Sequence, residues 1–349
     1  MAQPPATKQL PATHTAINAP TSLATDNDGH LFVIEREANK VLSVDLQRGT
    51  IVTVAGNGKK CCYKDGMKAT EASLGFLWSL AADGHGNLFL ADEDRIRKID
   101  ARTGLISTVV GDGTSGNTPD GVSARSAHFQ EISGLALDAR GNLFIADGQQ
   151  GKIFKLDSDS GTVHQFAGNG GRGFAGDGDL AVNAIFSFPE GIAFDSEGNL
   201  IVADFENCRV RRIDHQTTRI STVAVTDGVG EKCSEIGNSK AGPYPSDVAA
   251  DSDGNIYLVE GAVDVVLRID TQTDVLSVFA GRGKRGSSGD GGPATSAELS
   301  NPSGLAVDSS GNVFIAEYVS NRIRRVDSKT GIIRTVAGNG LPHRLDIEE

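Results

Sequence analysis

The sequence predicts an all-β protein, a six-bladed β-propeller with four antiparallel strands per blade, and three observations carry that prediction. An internal repeat is present in six copies, and its anchoring aspartate stands at Asp26, Asp83, Asp138, Asp195, Asp251 and Asp308, at intervals of 57, 55, 57, 56 and 57 residues. Each copy holds four short apolar or alternating runs separated by turn residues. The 349 residues include 43 Gly but only 5% aromatics, the composition of many short strands joined by tight turns.

The last copy shows each element. Strand a reads Gly304-Leu-Ala-Val-Asp308 and strand b reads Asn312-Val-Phe-Ile-Ala316; both are nearly continuous apolar runs, suited to inner strands covered on two faces. Strand c, Arg322-Ile-Arg-Arg-Val-Asp327, alternates basic with apolar residues and is expected to have one wetter face. Strand d reads Ile332-Ile-Arg-Thr-Val-Ala337. The a–b connections, such as Asp251-Ser-Asp-Gly254-Asn255, place Gly where a hairpin needs positive φ; the Asp-x-Asp-Gly string is read as a turn and not as a calcium loop, because the bidentate Glu of such a loop is missing. Small twisted sheets bury their apolar faces only by stacking on neighbours, and a closed ring gives every face a neighbour.

These motifs resemble the NHL family, in its long-repeat bacterial form. The resembling pattern is Pro-x-Gly-(Leu/Ile)-Ala-(Val/Phe)-Asp, then Gly-Asn-(Leu/Val)-(Phe/Ile), Ala-Asp and Arg-(Ile/Val)-Arg-(Arg/Lys)-(Ile/Val)-Asp, and it runs over residues 20–340. Blade 5 departs from it at Val263-Asp-Val-Val-Leu-Arg268. The expected organisation is an N-terminal linker segment (1–19), the propeller (20–340) and a C-terminal tail (341–349). Residues 11–20 match the end of the Gly-rich linker 281–302, so residues 10–20 are expected to lie across blade 6 and help close the ring.

Charge and hydropathy narrow the partners. Thirty-three Lys and Arg against 45 Asp and Glu give a net charge of −12, which repels phosphate backbones and argues against a nucleic-acid partner. No window approaches the ~18 consecutive apolar residues of a membrane span, so no membrane insertion is expected. The polar, Pro-rich start shows no apolar signal core. Four Cys, all in segments read as loops of one face, favour an extracytoplasmic (secreted or periplasmic) location; Cys208 and Cys233 are expected to form a disulfide, while Cys61-Cys62 could close a vicinal ring or stay reduced. A monomer is expected.

The Gly-x-Gly strings, such as Gly168-Asn-Gly-Gly-Arg-Gly173, lead from strand to strand and not into a helix, so they are read as linkers and not as phosphate loops. The seven His occupy different repeat positions and do not converge. Strand b ends in an acid in every blade, at Glu35, Asp92, Asp147, Asp204, Glu260 and Glu317. A base follows nearby in five blades (Lys40, Arg95, Lys152, Arg209, Arg322) and is expected to pair with it. Blade 5 offers Val265 there, which leaves Glu260 a candidate for a raised pKa or a ligand cation. At the entry to strand a, Trp78, Glu190 and Asp247 interrupt a run of small residues. Together with Glu260, and with Phe205 and Tyr318 from b–c loops, they make the predicted ligand-binding set at the channel mouth.

The leading expectation is a non-catalytic recognition module for a protein, peptide or small polar or cationic ligand. No cofactor is predicted. The alternative, implied by resemblance to propeller lactonases and lyases, is an enzyme with a central divalent metal such as calcium held by Glu190, Asp247 and Glu260.

Overall fold

A computed structural model describes residues 9–60, 63–226 and 244–342. Its strands form six antiparallel sheets. Blade 1 contains strands Pro20–Thr25, His30–Glu35, Lys40–Asp45 and Thr50–Ala55; blade 6 contains Pro302–Val307, Val313–Glu317, Arg322–Val326 and Ile333–Ala337, and blades 2–5 repeat the plan. Within each blade the order is a-b-c-d from the axis outward. The a–b turns are Asx turns: Asp251 Oδ1 accepts the backbone N–H groups of Asp253 and Asn255 at 3.0 and 2.9 Å, and Gly254 takes φ +85°.

The buried apolar residues fall into six clusters, each between two adjacent blades, which is why the ring must close for any blade to be dry on both faces. Phe129 and Phe154, both fully buried, meet edge-on at 5.7 Å in the seam between blades 2 and 3.

A repeated linker device joins neighbours. Gly56 N–H donates to Ala69 O at 2.9 Å, and Ala69 N–H donates to Gly104 O at 2.9 Å, so one short turn ties the exit of blade 1 to the outer edge of blade 2. The N-terminal segment is the same device between the chain ends: Gly338 N–H donates to Ala12 O (3.0 Å) and Ala12 N–H to Gly49 O (2.9 Å), while Ile17 is fully buried in the blade 6/blade 1 cluster. Residues 10–20 therefore straddle blades 6 and 1, and do not lie on blade 6 alone.

Two features differ from the four-stranded, wet-faced expectation. Leu10–Pro11, Met67–Lys68 and Val122–Ser123 add a two-residue fifth strand to the outer edge of blades 1, 2 and 3. Strand c is drier than its alternation suggests, because a linker covers its polar face: Arg97, Arg211 and Arg324 are fully buried.

Candidate functional site

Strand a begins at the axis, and side chains just inside its start either stitch neighbouring blades or face the channel. Ser22 Oγ accepts Leu80 N–H (3.2 Å), Ser79 Oγ accepts Leu135 N–H (3.1 Å), and Asp247 Oδ2 accepts Leu305 N–H (2.8 Å); each bond joins one blade to the next. Where the stitch position is Gly the strands approach more closely: a Cβ on Gly304 would lie 1.8 Å from Thr21 O. These contacts define a central cavity of about 570 Å³ whose wall includes Arg36, Trp78, Glu190, Phe205, Tyr244 and Asp247.

The predicted site residues divide. Trp78 lines the cavity, but the Arg36 guanidinium already covers its ring at 4.6 Å and that of Phe76 at 4.2 Å. The cation that the aromatic wall was expected to receive from a ligand is thus supplied by the chain. Asp247 also lines the cavity, yet its two oxygens accept backbone N–H groups from Val248 (2.9 Å) and Leu305; burial lifts its pKa to about 7, and those bonds oppose the rise. Phe205 stacks on Tyr244 at 4.8 Å between ring centres, and both border the cavity. Tyr318 stands on the rim outside the cavity lining and donates to Glu37 Oε1 at 3.3 Å.

Glu190, like Asp247, is partly buried. Its Oε2 is buried without a hydrogen-bond partner among the described residues, and burial, then the neighbouring Asp247 and Glu131, push its pKa up to about 8, against the pull of Arg36. Burial in turn lowers the pKa of Arg36 from its ordinary value, opposed by Tyr318, Glu37, Glu190 and Glu131.

Glu260 is fully buried at the end of its strand b, away from the cavity lining, and burial raises its pKa to about 8 against a hydrogen bond from the Thr226 side chain. It does not meet Glu190 and Asp247: among the described residues no three His, Cys, Asp or Glu side chains come together to hold a metal ion. The donor set proposed for a divalent metal does not fit one.

The strand-b acids have a different task from pairing with the loop bases. In five blades the carboxylate accepts the backbone N–H seventeen residues upstream, as from Asn18 to Glu35 (2.8 Å), Gly75 to Asp92 (2.7 Å) and Ser187 to Asp204 (2.9 Å). The equivalent donor position for Glu260 lies outside the described residues. In the even blades a buried strand-c arginine approaches the acid and reaches on to a linker aspartate. Arg97 lies 3.6 Å from Asp92 and 3.2 Å from Asp65, Arg211 lies 3.3 Å from Asp204 and 2.7 Å from Asp177, and Arg324 lies 3.6 Å from Glu317 and 2.7 Å from Asp290. Asp92 and Asp204 are pushed up to about 6 by burial, and the arginines oppose that shift. Leu42, Phe154 and Leu267 replace the arginine in the odd blades.

Arg36 and Tyr244 are the residues that sequence reasoning missed. Both were reachable from the repeat: Arg36 immediately follows the strand-b acid, the position that yields Phe205 and Tyr318, and Tyr244 immediately precedes strand a, as Phe76 does. Cys208 is fully buried and disulfide-bonded; Cys61, Cys62 and Cys233 lie outside the described residues, so the expected pairing with Cys233 does too.

The six sheets, their four-strand plan and their axial cavity define a six-bladed β-propeller, and NHL repeats are recognised in its sequence. The Teneurin NHL domain profile matches residues 277–344 and the NHL repeat profile matches residues 186–213. The chain is similar to the chloroplastic protein Suppressor of Quenching 1 of Arabidopsis thaliana, at 27% identity over 89% of this chain and 30% of that protein. It is also similar to NHL repeat-containing protein 2 of Bos taurus, at 26% identity over 76% of this chain and 40% of that protein. The chain spans less than half the length of either relative. Among solved structures, a Streptogramin B lyase shares the fold, with a TM-score of 0.54 and 15% identity over 94% of this chain and 97% of the lyase.

Proposed function

We propose that this propeller is a recognition module that seats a protein segment, peptide or small polar ligand in the mouth of its central channel, without catalysis. The observation that carries this reading is the 570 Å³ axial cavity, whose mouth combines a stacked aromatic pair (Phe205, Tyr244) with two charged or titratable groups, Arg36 and Glu190. Concave sites with an apolar wall and a few convergent polar groups are the usual seats of small ligands. A rigid ring also presents that mouth at little ordering cost on binding. The same proposal places the chain outside the cytoplasm as a monomer, with Cys208 bridged to Cys233. A disulfide-bonded, fully buried Cys208 supports the location, since such bonds persist in oxidising compartments.

The test is a peptide-array screen followed by hydrogen-exchange mass spectrometry. A bound peptide is expected to slow exchange in residues 188–206 and 244–262, to be recovered unchanged, and to bind at least tenfold more weakly to Phe205→Ala. Repeated conversion of the bound molecule, lost in a mouth variant, would instead make the protein an enzyme. Protection confined to the a–b turns would place the ligand on the opposite face.

A further inference from the structure

We propose that the channel mouth is a carboxylate seat, in which the Arg36 guanidinium and the Glu190 carboxyl together hold a free carboxylate of the ligand, such as a peptide C-terminus. This rests on the recognition reading above and names the chemical group recognised.

The argument begins with which groups around the mouth are already committed. Asp247 accepts two backbone N–H groups, Glu37 accepts the Tyr318 hydroxyl at 3.3 Å, and Glu131 accepts Gln149 Nε2 at 3.2 Å. Arg36 differs. Phe76 and Trp78 lie against its guanidinium, at 4.2 and 4.6 Å from the ring centres, yet among the described residues no hydrogen bond or ion pair of 4 Å or less occupies its N–H groups. Stacking fixes the plane of a guanidinium and leaves its edge, the part that pairs with carboxylate in a two-pronged fashion, free to bond. Glu190 shares the cavity wall with Arg36, and its buried Oε2 has no partner among the described residues.

Protonation decides what that pair can hold. With its pKa pushed up to about 8 by burial, Asp247 and Glu131, Glu190 is mostly a neutral acid at pH 7, so it can donate an O–H bond and adds little negative charge. A guanidinium edge and an acid O–H are both donors, and a carboxylate accepts from both. A cationic ligand meets the reverse: Arg36 occupies the aromatic faces, and Glu190 must first lose its proton. The charged and titratable groups around the pair are Glu37, Glu131, Asp247 and Tyr318, with Lys60 Nζ 5.5 Å from the centre of the Phe76 ring that Arg36 also covers. Of these, Asp247, with its pKa lifted to about 7, also gains charge across neutral pH, and its ionisation opposes carboxylate binding in the same direction. The Phe205–Tyr244 stack borders the same cavity and offers the rest of the ligand an apolar surface.

The experiment compares two probes that differ only at the terminal group, N-acetylglycine with a carboxylate and N-acetylglycinamide with a neutral amide, by calorimetric titration. Fluorescence of Trp78, the single tryptophan of the chain, reports whether binding occurs at the mouth. The carboxylate is expected to bind at least tenfold more tightly than the amide and to change Trp78 emission. Arg36→Gln should lose at least tenfold, and Arg36→Lys, which keeps the charge without the fork, should lose part of that. Wild-type affinity should fall as pH rises through about 8. Glu190→Gln, a permanent neutral donor, should show the shallower pH dependence that Asp247 alone imposes. Equal binding of the two probes, unchanged affinity in Arg36→Gln, or tighter binding of N-acetyllysinamide that is lost in Glu190→Gln would overturn the carboxylate seat. If neither probe binds while array peptides still protect the mouth, the carboxylate assignment fails and the recognition reading stands. If nothing protects the mouth, both fail.

Discussion

Replacing Glu190 with Gln should flatten the dependence of stability on pH. In the folded protein this carboxyl holds its proton to about pH 8, whereas the ordinary value is 4.5. At ~1.4 kcal/mol per unit the full difference corresponds to an upper bound of about 5 kcal/mol. The sign follows from linkage. A raised folded-state pKa means that the native state binds the proton more tightly, so the contribution is complete below pH 4.5 and is lost as pH rises through 8. Urea unfolding at intervals from pH 5 to 9 should show wild type losing up to about 5 kcal/mol more than Glu190→Gln, with most of the divergence complete by pH 8.5. Asp247 and Glu260, with pKa values raised to about 7 and about 8, titrate in both proteins and largely cancel in the difference. Parallel curves for the two proteins would refute the reasoning, because they would mean that Glu190 is ionised in the native state at neutral pH.

The other expectations concern the frame around the site. Arg97→Leu should cost about 3–5 kcal/mol in chemical unfolding, since it strands the buried Asp92 without its countercharge, and Asp92→Asn in the same chain should restore part of the loss; a single variant as stable as wild type would remove the clamp from the account. Gly304→Ala should lower stability by about 1–3 kcal/mol, because the added Cβ meets the Thr21 backbone oxygen across the blade 6/blade 1 seam. An unchanged melting temperature would show that the inner strands tolerate separation. Peptide mapping without reductant should recover Cys208 linked to Cys233, and alkylation of Cys208 in the folded, unreduced protein would exclude the bridge.

The sequence by itself determined the blade count, the strand order and the hairpins, because these depend on local periodicity and turn chemistry. Six aspartates spaced 55–57 residues apart mark the end of strand a in six blades, and Gly254 supplies the positive φ that its turn needs. It also placed Trp78, Glu190, Asp247 and Phe205 around one central cavity, since equivalent repeat positions occupy equivalent places around the axis. Only the tertiary structure decided what those side chains do there. Asp247 and Glu190 read alike as acids at the start of strand a, but a one-residue offset makes Asp247 an inter-blade stitch and leaves Glu190 facing the cavity. Glu260 carries the same charge and sits one strand further out, in the blade and not at the mouth. The alternation in strand c correctly marks a polar face, yet it cannot tell whether that face meets water or a linker aspartate, as with Arg97 and Asp65. Arg36 stacks on rings that lie 40 and 42 residues further along the chain, on the neighbouring blade and its linker. Periodicity reports which way a side chain points within its own blade; its partners across a seam are set by how the ring closes, and no local pattern records that.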